Sequence, residues 1–93
     1  MSQLKTFDIG ETVVCKATFK VDGELTNPTT IKIYIYDPAG VVDVDGTAMN
    51  RSSLGTYYYD YDSADKDDGI YPVYIEVVNA GRTVMKPGAF RLH

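Results

Sequence analysis

The sequence predicts an all-β fold, and three observations support that prediction. Segments with the two-residue hydrophobic alternation of strands recur along the whole chain. Turn signals rich in Gly, Pro, Asn and Asp separate them at intervals of roughly 8–12 residues, which is typical of a sandwich. No window carries a helical apolar stripe of useful length. We therefore expect residues 1–93 to form a single sandwich domain of about seven antiparallel strands.

The first half of the chain contains three predicted strands. Residues 4–11 form the first, and residues 12–21 form a second that ends at the two-residue Asp22-Gly23 turn. One face of the second strand carries its inward residues, which are Val13, Cys15, Ala17, Phe19 and Val21. In residues 31–36 isoleucines alternate with Lys32, Tyr34 and Tyr36. Proline and glycine in the following "DPAG" then end this third strand.

The second half of the chain continues the two-residue alternation of strands separated by turns. Residues 41–49 predict two short segments around a hairpin tip at Asp45-Gly46. The strand over residues 55–62 carries three odd-numbered tyrosines on its core face, Tyr57, Tyr59 and Tyr61. The strand over residues 69–78 places Tyr71, Val73, Ile75 and Val77 on one face, and "NAGR" predicts the next hairpin turn. In the last strand, Pro87-Gly88 indicates a bulge or an edge position.

Composition narrows the classes of partner. The net charge is −4, and the nine basic residues are scattered, so we expect no nucleic-acid binding. The apolar runs are only a few residues long, which predicts no membrane span. The N-terminus has no apolar signal-peptide core, so we expect cytoplasmic synthesis, with export only as part of a larger particle. The single cysteine, Cys15, has no partner for an internal disulfide.

The D-x-G-x-Y pattern of Asp67, Gly69 and Tyr71 resembles the tyrosine corner of immunoglobulin-like sandwiches. "GETV" at residues 10–13, "PAG" at 38–40, and "GTY" at 55–57 are similar to bacterial immunoglobulin-like and macroglobulin-type domains. The resemblance implies a Greek-key sandwich in which the Tyr71 hydroxyl bonds to upstream backbone. The chain departs from antibody domains, because Val73 stands where they have a cysteine and tryptophan is absent.

The same resemblance makes the strands over residues 31–36 and 69–78 neighbours. Tyr34, Tyr36 and Tyr74 are then expected to cluster on the outer face of one sheet. Lys32 and Glu76 lie beside them. Two interpretations of this cluster remain open: cross-strand stabilisation of the sheet, or an interface for a partner.

The aspartates at the end of the strand over residues 55–62 and in the loop after it suggest a metal site only weakly. The candidates are Asp60, Asp62 and Asp65, followed by Asp67 and Asp68. Their spacing does not match a calcium loop, because the glycine and the terminal glutamate do not fall at the required positions. We expect a solvated loop with one structural aspartate at the corner, and likewise a solvated hairpin tip carrying Asp43 and Asp45.

Nothing in the sequence predicts catalysis or a cofactor. The only histidine is His93, at the chain end, where fraying is expected. Cys15 lies on the inward face of its strand, where a thiol behaves as a small hydrophobe. No phosphate-binding glycine loop and no His/Cys metal spacing is present in the sequence.

The resemblance implies a non-catalytic module that works through protein contact. Free-standing modules of this type resemble virion-associated proteins of phages and viruses, such as capsid decoration or head–tail accessory subunits. We expect docking on a repeated capsid or tail lattice through edge strands or the tyrosine cluster, and a symmetric homo-oligomer is compatible with this. The alternative is a carbohydrate- or surface-binding module, calcium-stabilised or not. Exchange of the N-terminal strand between copies, around Gly10-Glu11, also stays open.

Overall fold

Ten strands joined by turns make up residues 5–93, which are the residues that the computed structural model describes. The strands are β1 Lys5–Phe7, β2 Thr12–Thr18, β3 Lys20–Val21, β4 Glu24–Leu25, β5 Thr30–Tyr36, β6 Val42–Ala48, β7 Asn50–Ser53, β8 Thr56–Asp62, β9 Gly69–Asn79 and β10 Arg82–Leu92. The predicted all-β class is confirmed. No helix long and apolar enough to cross a membrane is found among these residues.

The strands form two main sheets that pack against each other. The larger has the order β1-β10-β9-β5-β6, and the smaller has the order β2-β8-β7. β3 and β4 form a small separate hairpin. All described pairs are antiparallel except β1, which runs parallel to the last three residues of β10. The expectation of purely antiparallel pairing was therefore wrong at β1.

The core lies between the two sheets and consists mainly of alternate residues on each strand. Its buried apolar side chains are Val13, Ile31, Ile33, Ile35, Val44, Met49, Tyr57, Tyr61, Tyr71, Val73, Ile75, Val77, Phe90 and Leu92. The predicted inward faces of β5 and β9 are confirmed, and so are two of the three inward tyrosines of β8. Tyr59 is half-buried against the same core. Burial of these apolar surfaces stabilises the fold by roughly 25 cal/mol per Å².

The structure has more strands than the predicted number of about seven, because one predicted strand is interrupted and because β4 and β7 lie where no strand was predicted. The segment predicted over residues 12–21 leaves its sheet after Thr18. There the Phe19 N–H donates to the carbonyl of Gly55 at 2.8 Å, and the Phe19 carbonyl accepts from Thr26 at 3.1 Å. The chain then enters the small hairpin, so Val21 is exposed and does not lie on the inward face predicted for it.

Several predicted turns are confirmed by the structure. Asp22-Gly23 and Ala80-Gly81 both have positive φ values and close two-residue hairpins between β3 and β4 and between β9 and β10. In the turn after β5, the Asp37 carboxylate accepts hydrogen bonds from the N–H groups of Ala39 and Val41 at 3.0 and 2.8 Å. These side-chain contacts replace the ladder bonds that end with the strand.

The Pro87-Gly88 pair does not make a bulge. β10 pairs with β9 without a register shift from Arg82 to Leu92. β1 covers the other side of β10 only at residues 90–92, so among the described strands residues 82–89 form a sheet edge. The edge position was therefore the correct alternative, as expected for a residue without an N–H donor.

Ser63 is a fully buried polar side chain just after β8. Its hydroxyl accepts a hydrogen bond from the Gly10 N–H at 2.9 Å and donates one to the Glu11 carbonyl at 2.5 Å. Both of its hydrogen-bonding capacities are thus used by the connection between β1 and β2. Ser63 fastens this connection to the end of the smaller sheet, a role that no local sequence pattern indicates.

Candidate functional site

The outer side of the five-stranded sheet carries the residues predicted as an interaction face. We use the term tyrosine face for five side chains on the central strands β5 and β9: Lys32, Tyr34, Tyr36, Tyr74 and Glu76. Tyr34 is paired with Tyr74 across the two strands, and Lys32 is paired with Glu76. The rings of Tyr36 and Tyr74 meet edge to face, with centroids 5.8 Å apart and an interplanar angle of 86°. The structure therefore brings all five residues onto one surface.

The tyrosine face is only partly covered by its own packing. Tyr74 is 38% exposed, whereas Tyr34, Tyr36 and Glu76 are half-buried. The Tyr34 hydroxyl donates a long hydrogen bond of 3.4 Å to the Glu76 carboxylate. Partial desolvation and, next, the nearby Glu76 charge raise the pKa of Tyr34, which favours the protonated form that donates this bond. The face thus offers aromatic surface together with a protonated donor and a carboxylate acceptor.

A β-bulge in β6 makes room for Tyr34. Ile33 pairs with Thr47 and Tyr34 with Asp45, so the register skips Gly46. Gly46 has a φ of 69°, and a Cβ there would lie 3.2 Å from the Tyr34 ring. The predicted hairpin tip at Asp45-Gly46 was therefore wrong, because β6 continues through both residues. A pair that tolerates positive φ serves a bulge as well as a turn, and pairing with β5 decides between them.

Apolar residues missed by sequence reasoning extend the tyrosine face across the sheet. Pro87 on β10 is paired with Tyr74, and Met85 is paired with Glu76. On the other side, Val42 of β6 is paired with Tyr36. Met85 is 49% exposed and Val42 is 41% exposed. The alternation of β10 could have indicated Met85 and Pro87 as outward residues, but only the strand register places them beside the tyrosines.

The tyrosine corner closes one end of the sandwich. The Tyr71 hydroxyl donates a 2.6 Å hydrogen bond to the backbone carbonyl of Asp67. Gly69 has a φ of 136°, and a Cβ on it would come within 2.7 Å of the Pro38 side chain. The glycine is therefore required both by the backbone conformation and by the close approach of the turn after β5. The Asp67 side chain is not part of this bond, because the acceptor is its carbonyl.

The sequence predicted Asp43 as a solvated acidic group on a hairpin tip, and the structure shows otherwise. Asp43 lies on β6 and accepts a short hydrogen bond from the Tyr61 hydroxyl of β8. The Lys66 ammonium lies 3.1 Å from the same carboxylate and 5.7 Å from the centre of the Tyr61 ring. The Tyr61 bond is the main cause that lowers the pKa of Asp43; Lys66 acts in the same direction and desolvation opposes both. This cluster joins the two sheets at their rim.

The weak metal candidates lie around the end of β8 and in the loop after it. Asp60 and Asp62 are exposed, and the Asp62 carboxylate accepts from the Ala64 N–H at 3.0 Å. Asp65 occupies the left-handed region with a φ of 64°. Across residues 5–93, no three His, Cys, Asp or Glu side chains come together as a metal site.

The two residues considered for catalysis lie in ordinary structural environments. Cys15 is half-buried, and desolvation, followed by the charge of Asp60, raises its pKa to about 11. The His93 ring is exposed and lies 2.8 Å from the Asp8 carboxylate. The backbone of His93 is hydrogen-bonded to the backbone of Phe7 and Ile9. The expectation of a frayed chain end was therefore wrong, because these bonds hold His93 beside β1.

These contacts define what the tyrosine face can do chemically. Its rings provide apolar and cation-binding surface, its hydroxyls and carboxylate provide polar contacts, and Lys32 adds a cation at the edge. Such a set recognises a partner surface by contact and hydrogen bonding. Comparisons of the chain with protein-family models, with curated proteins and with solved structures found no match in any of the three.

Proposed function

We propose that this chain is an immunoglobulin-like Greek-key sandwich that works as a non-catalytic protein-interaction module. In such domains, one sheet holds the first, second, fourth and fifth strands, and the other holds the third, sixth and seventh. The order β2-β8-β7 in one sheet and β1-β10-β9-β5-β6 in the other supports this arrangement through the adjacent pair β5 and β9. The first strand, β1, departs from it because it pairs with β10. The Tyr71–Asp67 hydrogen bond at the predicted corner supports it further.

The observation that carries the functional part of the proposal is the position of the tyrosine face. Its three rings lie on β5 and β9, which are adjacent interior strands of the larger sheet. Interfaces are enriched in tyrosine and methionine, and their hot spots cluster near the centre. Tyr74, Met85 and Val42 leave apolar surface exposed around that centre. Sheet stabilisation alone would not require these neighbours to be apolar.

Within this class we favour a virion-associated subunit, such as a capsid decoration or head–tail accessory protein. Weak contacts through one small face become effective when many copies bind a repeated lattice. In a symmetric homo-oligomer, self-association would likewise bring several copies of the face together. Both forms use the tyrosine face and require no cofactor.

The alternative is a carbohydrate- or surface-binding module. Tyr74 could stack on a sugar ring, and Glu76 could accept a hydroxyl hydrogen bond. The edge-to-face contact of Tyr36 and Tyr74 gives no single flat platform, which favours a protein partner over a sugar. Glycan binding that disappears in Tyr34→Ala and Tyr74→Ala variants would reverse this preference. A large rise of the melting temperature in millimolar calcium would point to the calcium-stabilised form of the alternative.

The first test is the solution mass by light scattering over a concentration series, followed by co-sedimentation with purified phage capsids or tails. A Tyr36→Ser/Tyr74→Ser double variant is compared with Tyr58→Ser, which changes a half-buried tyrosine on the opposite sheet. The proposal expects self-association or particle binding that the double variant loses and the control keeps. Equal behaviour of wild type and double variant in both assays would reject the tyrosine face as the docking surface.

A further inference from the structure

A second surface, separate from the tyrosine face, lies where the two sheets leave a gap along one side. Among residues 5–93, β2 is the edge strand of the smaller sheet, and residues 82–89 of β10 form a free edge of the larger sheet. Between them runs a groove of about 650 Å³. The Lys86 ammonium reaches across it to the Thr18 carbonyl at 3.4 Å. Two strand edges that no other described strand pairs with therefore face one opening.

The floor of the groove is the side of the hydrophobic core. It is lined by Phe7, Val13, Cys15, Ala17, Ile75 and Phe90. Cys15 and Ala17 pack against the core but remain only half-buried. They are also small, so space remains above them. An apolar side chain entering from outside would cover these residues and remove further core surface from water.

The rim of the groove has one sign of charge. Lys5, Lys16 and Lys86 line it, and no acidic residue does so among the described ones. This is unusual for a chain with a net charge of −4 and only nine basic residues. A complementary occupant therefore carries acidic groups that are attracted to the lysines of the rim. This attraction would make the groove prefer an acidic segment to other extended segments.

The β2 edge is the better template for pairing. Its seven residues include neither proline nor glycine, whereas the edge of β10 contains Pro87-Gly88. Proline at an edge removes a donor and discourages strand addition. The inward residues of β2 are Val13, Cys15 and Ala17, and a strand added beside them would place every second side chain over the groove. Strand addition of this kind supplies main-chain hydrogen bonds and reads alternate side chains.

We infer that the groove binds an extended, acidic segment of a partner protein, which adds as a strand to the free edge of β2. Apolar residues at alternate positions of the segment fill the space above Cys15 and Ala17. Acidic residues at its ends contact the lysines of the rim. This inference does not rest on the tyrosine face, which lies on the outer side of the larger sheet.

The test uses the full chain and three synthetic peptides of about nine residues, the length needed to span β2 with flanks. One alternates valine with threonine and has glutamate flanks. The second has the same core with lysine flanks. The third has the composition of the first with the valines grouped together. Affinity is measured by fluorescence anisotropy, and the position of binding by amide hydrogen exchange.

The acidic alternating peptide is expected to bind at least about tenfold more tightly than either of the others. It should slow amide exchange in β2 and leave the opposite edge strand β7 unchanged. It should also slow alkylation of Cys15. In a Lys16→Glu/Lys86→Glu variant the preference should move to the peptide with lysine flanks. A Tyr36→Ser/Tyr74→Ser variant should bind the acidic peptide as wild type does, so that this result is independent of the proposed function.

Three results would overturn the inference. Absence of binding, or equal binding of all three peptides, would show that the groove does not select an acidic strand. Protection of Cys15 that increases with protein concentration without peptide would assign the groove to a second copy of the chain. Slow exchange of the β2 amides that do not bond to β8, independent of both concentration and peptide, would assign the groove to residues of the same chain.

Discussion

The Tyr71 hydroxyl is bonded to the backbone carbonyl of Asp67 while the Tyr71 ring stacks on Phe90. The hydrogen bond is 2.6 Å long, and the two ring centroids lie 5.2 Å apart at an interplanar angle of 4°. Tyr71 is 1% exposed. Desolvation is the main cause that raises its pKa, which favours the protonated form that donates this bond. One side chain thus connects the loop before β9 to the centre of the core.

Replacing Tyr71 with phenylalanine should remove the hydrogen bond and keep the stacked ring. The Asp67 carbonyl would lose its partner, so we expect the free energy of unfolding to fall by about 1–2 kcal/mol. Urea unfolding monitored by circular dichroism measures this change. Tyr74→Phe is the matched control, since Tyr74 lies on the outer face and is 38% exposed, and it should change stability little. Equal losses in both variants would show that the Tyr71–Asp67 bond does not stabilise the fold.

Replacing Gly46 with alanine should destabilise the protein for two reasons. The φ of 69° is unfavourable for any residue with a Cβ, which costs about 1–2 kcal/mol, and the added Cβ would press on the Tyr34 ring at 3.2 Å. Gly81→Ala is the control, because Gly81 has a φ of 78° but open space around the new Cβ. The control carries the backbone strain alone, so the excess loss in Gly46→Ala reports the contact with Tyr34. If the two variants unfold at the same urea concentration, Tyr34 moves aside at no cost.

The parts of the fold that could be predicted from the sequence are those set by local alternation. The inward isoleucines of β5 and the buried face of β9 follow directly from the period of two, because one side of each strand packs on the core. The bulge at Gly46 could not be predicted in this way. The same Asp-Gly pair fits a hairpin turn, and only pairing with a distant strand, β5, excludes the turn.

The candidate site shows the same division. Tyr34 and Tyr74 could be predicted as outward neighbours once their strands were taken as adjacent. Met85 and Val42 required the register of two further strands. The Asp43–Tyr61 bond and the groove beside β2 depend on how the two sheets pack on each other. Contacts of this kind leave no periodic trace in the sequence.

Asp43 should make stability depend on pH in the acid range. Its pKa is lowered in the folded protein, chiefly by the hydrogen bond from Tyr61. Its contribution is therefore fully present above the unfolded pKa of about 4 and is lost as the pH falls through the lower folded value. Asp43→Asn removes the charge but keeps an acceptor for Tyr61. We expect the variant to be less stable than wild type at about pH 7, and this difference to shrink by about pH 3.

The comparison of Asp43→Asn with wild type at two pH values needs a control, because acid affects the stability of any chain with many carboxylates. Asp22→Asn serves this purpose, because Asp22 lies exposed in the turn between β3 and β4. Its difference from wild type should stay small at both pH values. A gap between Asp43→Asn and wild type that is constant with pH would mean that the carboxylate charge contributes nothing through Tyr61 and Lys66.

The Cys15 thiol should react slowly in the native protein. Burial, followed by the charge of Asp60, raises its pKa to about 11, so the reactive thiolate is much scarcer than in an ordinary cysteine at the same pH. The rate of iodoacetamide alkylation measured against pH gives the pKa directly, and unfolding in urea should restore ordinary reactivity. Asp60→Asn should lower the midpoint only slightly, since desolvation is the larger cause. A native midpoint near the ordinary cysteine value of about 8.5 would show that water reaches the sulfur freely and that the groove floor is not apolar around Cys15.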